Sequence, residues 1–189
     1  MLIRGKAWKF GDFVSTDLIA PGRYAYLRDT LPEFVKHVLE DADKDFAPAA
    51  LKGDQTYIVV GGRNFGQGSS REHAARLIKL AGVPVVLAKG FARIFYRNCF
   101  NIGMPALTVD TDQIAHGDEV EIDLKHGVVR NRTRQQELAT GRIPPVMLTI
   151  AQAEDVLQVS RWKLYQLIRA GELESIKIGL KYTFKHVYI

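Results

Sequence analysis

One cysteine, Cys99, stands in a chain of 189 residues, and that scarcity excludes a good deal. No internal disulfide can form, and no cysteine set is at hand for zinc or an iron–sulfur cluster, so any such chemistry needs another chain. Long apolar runs are missing too. No stretch approaches the roughly 18 uninterrupted apolar residues of a membrane span, and Met1-Leu2-Ile3-Arg4-Gly5 lacks the pattern of a signal peptide, so a cytoplasmic protein with no membrane partner is expected. No G-x-x-x-x-G-K-[ST] sequence occurs, which removes a P-loop phosphate site. His37, His73, His116, His126 and His186 show no ligand spacing, so no metal site is expected. A 47% hydrophobic and 25% charged composition is that of an ordinary globular chain, neither disordered nor collagen-like.

What is present centres on Gly61-Gly62-Arg63-Asn64-Phe65-Gly66-Gln67-Gly68-Ser69-Ser70-Arg71-Glu72-His73. The β-branched run Tyr57-Ile58-Val59-Val60 precedes it as a buried strand, and Ala74 to Ala81 follows with apolar residues at helical spacing. Four glycines in the first eight residues permit positive φ and close approach of backbone to a ligand. Ser69 to Glu72 has the spacing of a capping box and predicts a helix start there. Free amides, the positive helix end, two hydroxyls and Arg71 then converge on what reads as an anion site. The plainer alternative is a tight turn and a capped helix. A dinucleotide fingerprint fits badly, because Arg71 occupies the third glycine position and the next strand ends in Ala88-Lys89 without an acid.

Around this motif the pattern predicts a strand over Ile3–Trp8, a helix over 32–41 opened by Pro32, and a strand over Val83–Ala88 that completes a parallel βαβ unit. An amphipathic helix is expected from Phe91 to Phe100 with Arg93 and Arg97 exposed, then strands over Pro105–Val109 and Glu119–Leu124, and a hairpin into Val128-Val129-Arg130. Cys99 on that helix is most simply a packed side chain. The polar stretch 131–147, with Gly141, Pro144 and Pro145, reads as a linker. Charge divides along the same lines. Residues 1–129 are net zero, whereas 130–147 carry +3 and 148–189 carry +2, which suggests an appended segment with its own partner.

Three stretches together carry a resemblance. They are residues 62–74, Lys89-Gly90-Phe91-Ala92-Arg93-Ile94-Phe95-Tyr96-Arg97-Asn98, and Asn101-Ile102-Gly103-Met104-Pro105, supported by Gly11-Asp12, Ser15-Thr16-Asp17 and Pro21-Gly22-Arg23-Tyr24. Over roughly residues 1–130 the chain resembles the small subunit of 3-isopropylmalate dehydratase, the detached swivel domain of the aconitase superfamily. The resemblance implies an α/β fold, a three-layer, barrel-like β/β/α swivel domain. It implies a hydro-lyase that moves a hydroxyl between adjacent carbons of an alkyl-malate, active with a large subunit that carries a 4Fe-4S cluster. By the same resemblance Ser69 is the base, Ser70 and Arg71 hold a carboxylate, Arg28 contacts substrate, and Thr16, Asp17, Gly66 and Gly68 support them. Gln67 stands where such subunits often have cysteine or threonine, and Ala25 lengthens the loop before Arg28. The substrate implied is isopropylmalate, homoaconitate, dimethylmalate or another alkyl-malate.

Residues 148–189 resemble an excisionase-type winged helix-turn-helix instead of the family's short terminal helix. Ala153, Val156 and Leu157 form one helix face, Gln158-Val159 a turn, and Ser160 the cap of a second helix whose Leu164, Leu167 and Ile168 face back. DNA contacts are then expected from Arg161, Lys163, Gln166 and Arg169, with Lys177 and Lys181 on a hairpin wing. A rival reading follows: a DNA-binding regulator that uses the swivel domain as ligand sensor or assembly platform.

Overall fold

The structure, a computed structural model, describes residues 2–68, 72–138, 148–149, 160–169, 175–178 and 181–184. The chain divides into two compact units, residues 1–99 with 104–143 and residues 100–103 with 144–189.

In the first unit, strands β1 (Leu2–Lys9), β2 (Tyr57–Gly61), β3 (Val86–Ala88), β4 (Ala106–Thr108), β5 (Glu119–Asp123), β6 (Val128–Asn131) and β7 (Gln136–Leu138) form one mixed sheet in the order β4-β3-β2-β1-β5-β6-β7. Pairing is parallel from β4 across to β1. It is antiparallel from β1 through β5 and β6 to β7.

Period-two alternation sends Ile3, Ala7, Ile58, Val60, Leu87 and Leu107 to one face, where Val120, Ile122, Val129 and Leu138 join them in a single buried cluster. A sheet whose strands all contribute one face to one cluster must curl around it, which gives the half-barrel. On the parallel side the opposite face is buried as well, with Val59, Val86 and Ala88 at 0% exposure, as an apolar parallel strand requires. Helix α3 (Phe46–Lys52) helps to cover it: the Phe46 ring meets Trp8 edge-on at 5.3 Å and Phe10 at 5.6 Å. On the antiparallel side that face carries charge. Arg4, Glu121, Arg130 and Glu137 lie in register across four strands, with Arg4 Nε donating to Glu121 at 2.7 Å and Arg130 Nε to Glu137 at 3.1 Å.

Three local expectations give way. The helix predicted over 32–41 breaks into α2 (Leu31–Phe34) and a 3-10 turn (Val35–His37), after which Val38 is extended and Leu39 has φ 57°. A tertiary hydrogen bond wins over periodicity there: the Leu39 amide donates to the Ile19 carbonyl at 3.0 Å, at the end of α1 (Thr16–Ile19). Second, β7 lies inside the stretch read as a linker and extends the sheet to Leu138. Third, helix α4 (His73–Leu80) begins later than the Ser69–Glu72 spacing predicts, with Glu72 at its N-cap and no side-chain cap bond at that position; the Ser69 end of the expected capping box lies outside the described residues. Helix α5 (Arg93–Asn101), the βαβ unit with parallel β2 and β3, and the β5–β6 hairpin are as expected.

In the second unit the described residues comprise β8 (Leu148–Thr149), helix α6 (Arg161–Arg169), β9 (Ser175–Ile178) and β10 (Lys181–Phe184). Strand β10 pairs antiparallel with both β9 and β8. The hairpin and the second helix match the sequence reading; β8 was not foreseen. The first helix expected around Ala153–Leu157 and the turn at Gln158–Val159 lie outside the described residues.

Candidate active site

The glycine-rich loop leaves the carboxyl end of β2, between the segments that follow β1 and β3. This is the edge of a parallel sheet where ligands are usually bound. On one side the chain after β1 runs alongside it. Amide donations from Phe10 to Val60, Gly62 to Gly11, Phe13 to Arg63, Gly66 to Val14 and Thr16 to Gln67, each 2.7–3.0 Å, alternate between the two segments. On the other side Phe65 accepts from Ala92 at 2.9 Å and donates to the Gly90 carbonyl at 2.9 Å.

Side chains lock this arrangement. Asp12 accepts from the Arg63 amide and from its Nε, both at 2.8 Å, and those bonds hold its carboxyl below the ordinary carboxylate range. The Arg63 guanidinium also lies 5.3 Å from the centre of the Phe13 ring. Gln67, the departure noted in the sequence, braces the loop: its amide donates to the Phe13 carbonyl at 3.1 Å and its oxygen accepts from Asn64 at 2.8 Å. Two glycines are required by contact as well as by conformation. Gly66 has φ 80°, and a Cβ there would lie 2.1 Å from Phe95 Cγ; Gly68 has φ 113°, and its Cβ would lie 2.7 Å from Thr16 Oγ1.

Thr16 is buried, in the first turn of α1, whose N-cap Ser15 accepts from the Leu18 amide at 3.1 Å. Asp17 is exposed beside it. Thr16, Asp17, Arg28, Phe34 and His73 line one cleft, so two supporting residues and the expected substrate arginine face the same space as the first turn of α4. Arg28 is exposed at the end of a 3-10 helix (Gly22–Leu27), and its Nε donates to the Ala25 carbonyl at 2.8 Å. Ser69, Ser70 and Arg71 lie outside the described residues. The chain reaches them from Gly68, against Thr16, and α4 follows with His73 on the cleft.

Sequence reasoning included His73 in the central motif without giving it a place in the site, and missed Phe34, which belongs to no motif. The Asp12–Arg63 pair joins positions 51 apart, a contact no local pattern reveals. Cys99 is buried, and that burial pushes its thiol well above the usual range, so it is a packed side chain. Among the described residues no group of three or more His, Cys, Asp or Glu could hold a metal ion, and a single buried thiol does not fit an iron–sulfur cluster. No described helix is long and apolar enough to cross a membrane. On α6, Arg161, Gln166 and Arg169 are exposed together with Trp162 and Tyr165. Lys163 lies on the same helix, Lys177 on β9 and Lys181 on β10, with their side chains outside the described residues.

Comparison with known proteins agrees with this geometry. Residues 29–112 match the family model for the aconitase C-terminal domain, and residues 147–189 match one for a helix-turn-helix domain. The 3-isopropylmalate dehydratase small subunit 1 of Thermotoga maritima is 54% identical over 157 residues, covering 82% of this chain and 93% of that protein. The small subunit 2 of Archaeoglobus fulgidus is 56% identical over 150 residues, covering 79% of this chain and 89% of that one. The crystal structure of 3-isopropylmalate dehydratase (leuD) from Methanocaldococcus jannaschii superposes with a TM-score of 0.70 at 35% identity, covering 91% of this chain and 99% of its own. With a swivel-type half-barrel, a glycine loop built against Thr16 and relatives of this identity and coverage, the chain belongs to the 3-isopropylmalate dehydratase small-subunit family.

Proposed function

We propose that the chain is the small subunit of an isopropylmalate-type hydro-lyase that converts 2-isopropylmalate to 3-isopropylmalate by dehydration and rehydration. The observation that carries this reading is the convergence of Thr16, Asp17, Arg28 and the start of α4 on one cleft beside the loop that leads into Ser69. Ser69 takes the proton from the carbon next to a carboxylate as the hydroxyl leaves the adjacent carbon. Returning the proton and a hydroxyl to the opposite carbons gives the isomer. A serine hydroxyl is a poor base unless its deprotonated form is stabilised, and in this reading the neighbouring Arg71 supplies that stabilisation. Ser70 and Arg71 bind the carboxylate beside the reacting carbon, Arg28 binds the far end of the substrate, and Thr16 and Asp17 hold the loop. The 4Fe-4S cluster belongs to the large subunit, where it supplies Lewis acidity toward the leaving hydroxyl. Co-expression with a cluster-bearing large subunit tests the reading: a complex that isomerises 2-isopropylmalate is expected, and a folded chain that neither binds that subunit nor supports turnover would overturn it.

A second activity in residues 148–189 is favoured by one observation: α6 exposes Arg161, Gln166 and Arg169 on a helix followed by an antiparallel hairpin. In this reading the segment contacts DNA, with Lys163, Lys177 and Lys181 adding phosphate contacts. The full chain is then expected to bind duplex DNA in a salt-dependent manner, and Arg161→Ala with Arg169→Ala to weaken it by about tenfold or more without affecting turnover. Binding that is absent at low salt, or equal in the double variant, rejects this activity.

A further inference from the structure

The 3-10 helix Gly22–Leu27, which leads into Arg28, contributes no buried residue, and its N-cap Pro21 makes no side-chain cap bond. Its side chains are at most half-buried, so packing alone holds this loop weakly. What holds it is a set of polar and aromatic contacts to the turn after α2, and these meet at one carboxylate.

Glu40 Oε1 accepts from Arg23 Nη2 at 2.7 Å and from the Tyr24 hydroxyl at 3.1 Å, while Oε2 pairs with His37 Nδ1 at 2.6 Å. Asp41 takes the second arm of Arg23 at 2.7 Å. The rings complete the set: Tyr24 stacks on His37 at 3.7 Å with 14° between planes, and the Arg23 guanidinium lies 4.7 Å from the Tyr24 centroid. Any one exposed ion pair of this kind holds little, but here two cationic or aromatic partners on the loop and one on the turn share both oxygens of a single acid.

The turn that carries Glu40 also fixes the opposite wall of the cleft. Leu39, its neighbour, is fully buried in a left-handed conformation and donates to Ile19 at the end of α1, the helix that presents Thr16 and Asp17. One short segment thus sets the spacing between α1 and the Arg28 loop.

We propose that Glu40, through Arg23, Tyr24 and His37, positions the 22–28 loop and thereby sets how well Arg28 is placed to hold the substrate. This rests on the hydro-lyase reading and on Arg28 as a substrate contact. Glu40 is a positioning residue, since its partners are loop side chains and the reacting atoms are elsewhere.

The test uses the full chain in complex with its large subunit. Glu40→Ala is expected to raise KM for 2-isopropylmalate about tenfold with kcat within about twofold. Glu40→Gln, which keeps an acceptor for Arg23 and Tyr24, is expected to recover part of that loss. Amide hydrogen exchange on the full chain alone reads the same device without activity: Glu40→Ala should speed exchange over 22–28 by about tenfold and leave β1 and β2 unchanged. Unchanged KM in the active complex, or unchanged exchange over 22–28, would overturn the proposal. A wild-type complex without turnover would instead overturn the functional reading, and the exchange result would then decide the clamp on its own.

Discussion

Replacing Ser69 with alanine is expected to lower kcat of the assembled enzyme by about a thousandfold or more while KM changes by less than about threefold. A positioned proton acceptor contributes roughly 10²–10⁴ in rate, and its loss falls on the transition state and not on ground-state binding. Ser70→Ala and Arg71→Lys give the contrast. In the proposed roles those positions hold the carboxylate in both states, so their loss is expected mainly in KM, and lysine lacks the planar fork that grips a carboxylate with two bonds. Steady-state kinetics on the complex, together with a direct measurement of substrate affinity, separates the roles. Loss of substrate affinity in the Ser69 variant would make Ser69 a ligand and require another base.

The second large effect is expected from Gly66→Ala. The backbone there has φ 80°, and the new Cβ would fall 2.1 Å from Phe95 Cγ and 2.5 Å from Phe95 Cβ, inside a buried aromatic cluster. Left-handed strain of about 1 kcal/mol adds to overpacking of roughly 1–3 kcal/mol, so thermal unfolding should fall by something on the order of 10 °C. Gly53→Ala is the matched control: Gly53 has φ 74° with nothing within 4 Å of its Cβ, so it bears the strain alone. Equal losses in the two variants would mean that contact with Phe95 does not matter. Activity should also fall in the Gly66 variant, because the Gly66 amide bonds Val14 on the segment that carries Thr16.

These expectations show which parts of the molecule could be read from its sequence. Strands β2 and β3 announced themselves as apolar runs and β5 by its alternation, since burial on two faces or on one face writes directly into residue type. The stretch 61–73 was legible because glycines, hydroxyls and an arginine at fixed spacing have few other uses together. Other features depend on partners far along the chain. Leu39 leaves the helical pattern because its amide finds Ile19, and Glu40 reads as an ordinary solvated acid until Arg23, Tyr24 and His37 are brought to it. Helix α3 was hidden by Pro48, which its first turn tolerates, and β7 has only three residues with one buried. Of the candidate site, Thr16, Asp17 and Arg28 are brought to one cleft, and Gly66 and Gly68 are explained by what they touch. Within residues 148–189 the helix Arg161–Arg169 and the β9–β10 hairpin were legible, because helix periodicity and strand alternation are local signals.

The most direct test adds purified chain stepwise to a fixed amount of cluster-bearing large subunit and follows 2-isopropylmalate and 3-isopropylmalate by proton NMR. No isomerisation is expected from either protein alone, and the rate should rise with added chain and saturate once the complex has formed. Full activity of the large subunit alone, or a stable complex that leaves 2-isopropylmalate unchanged, would contradict the proposed function.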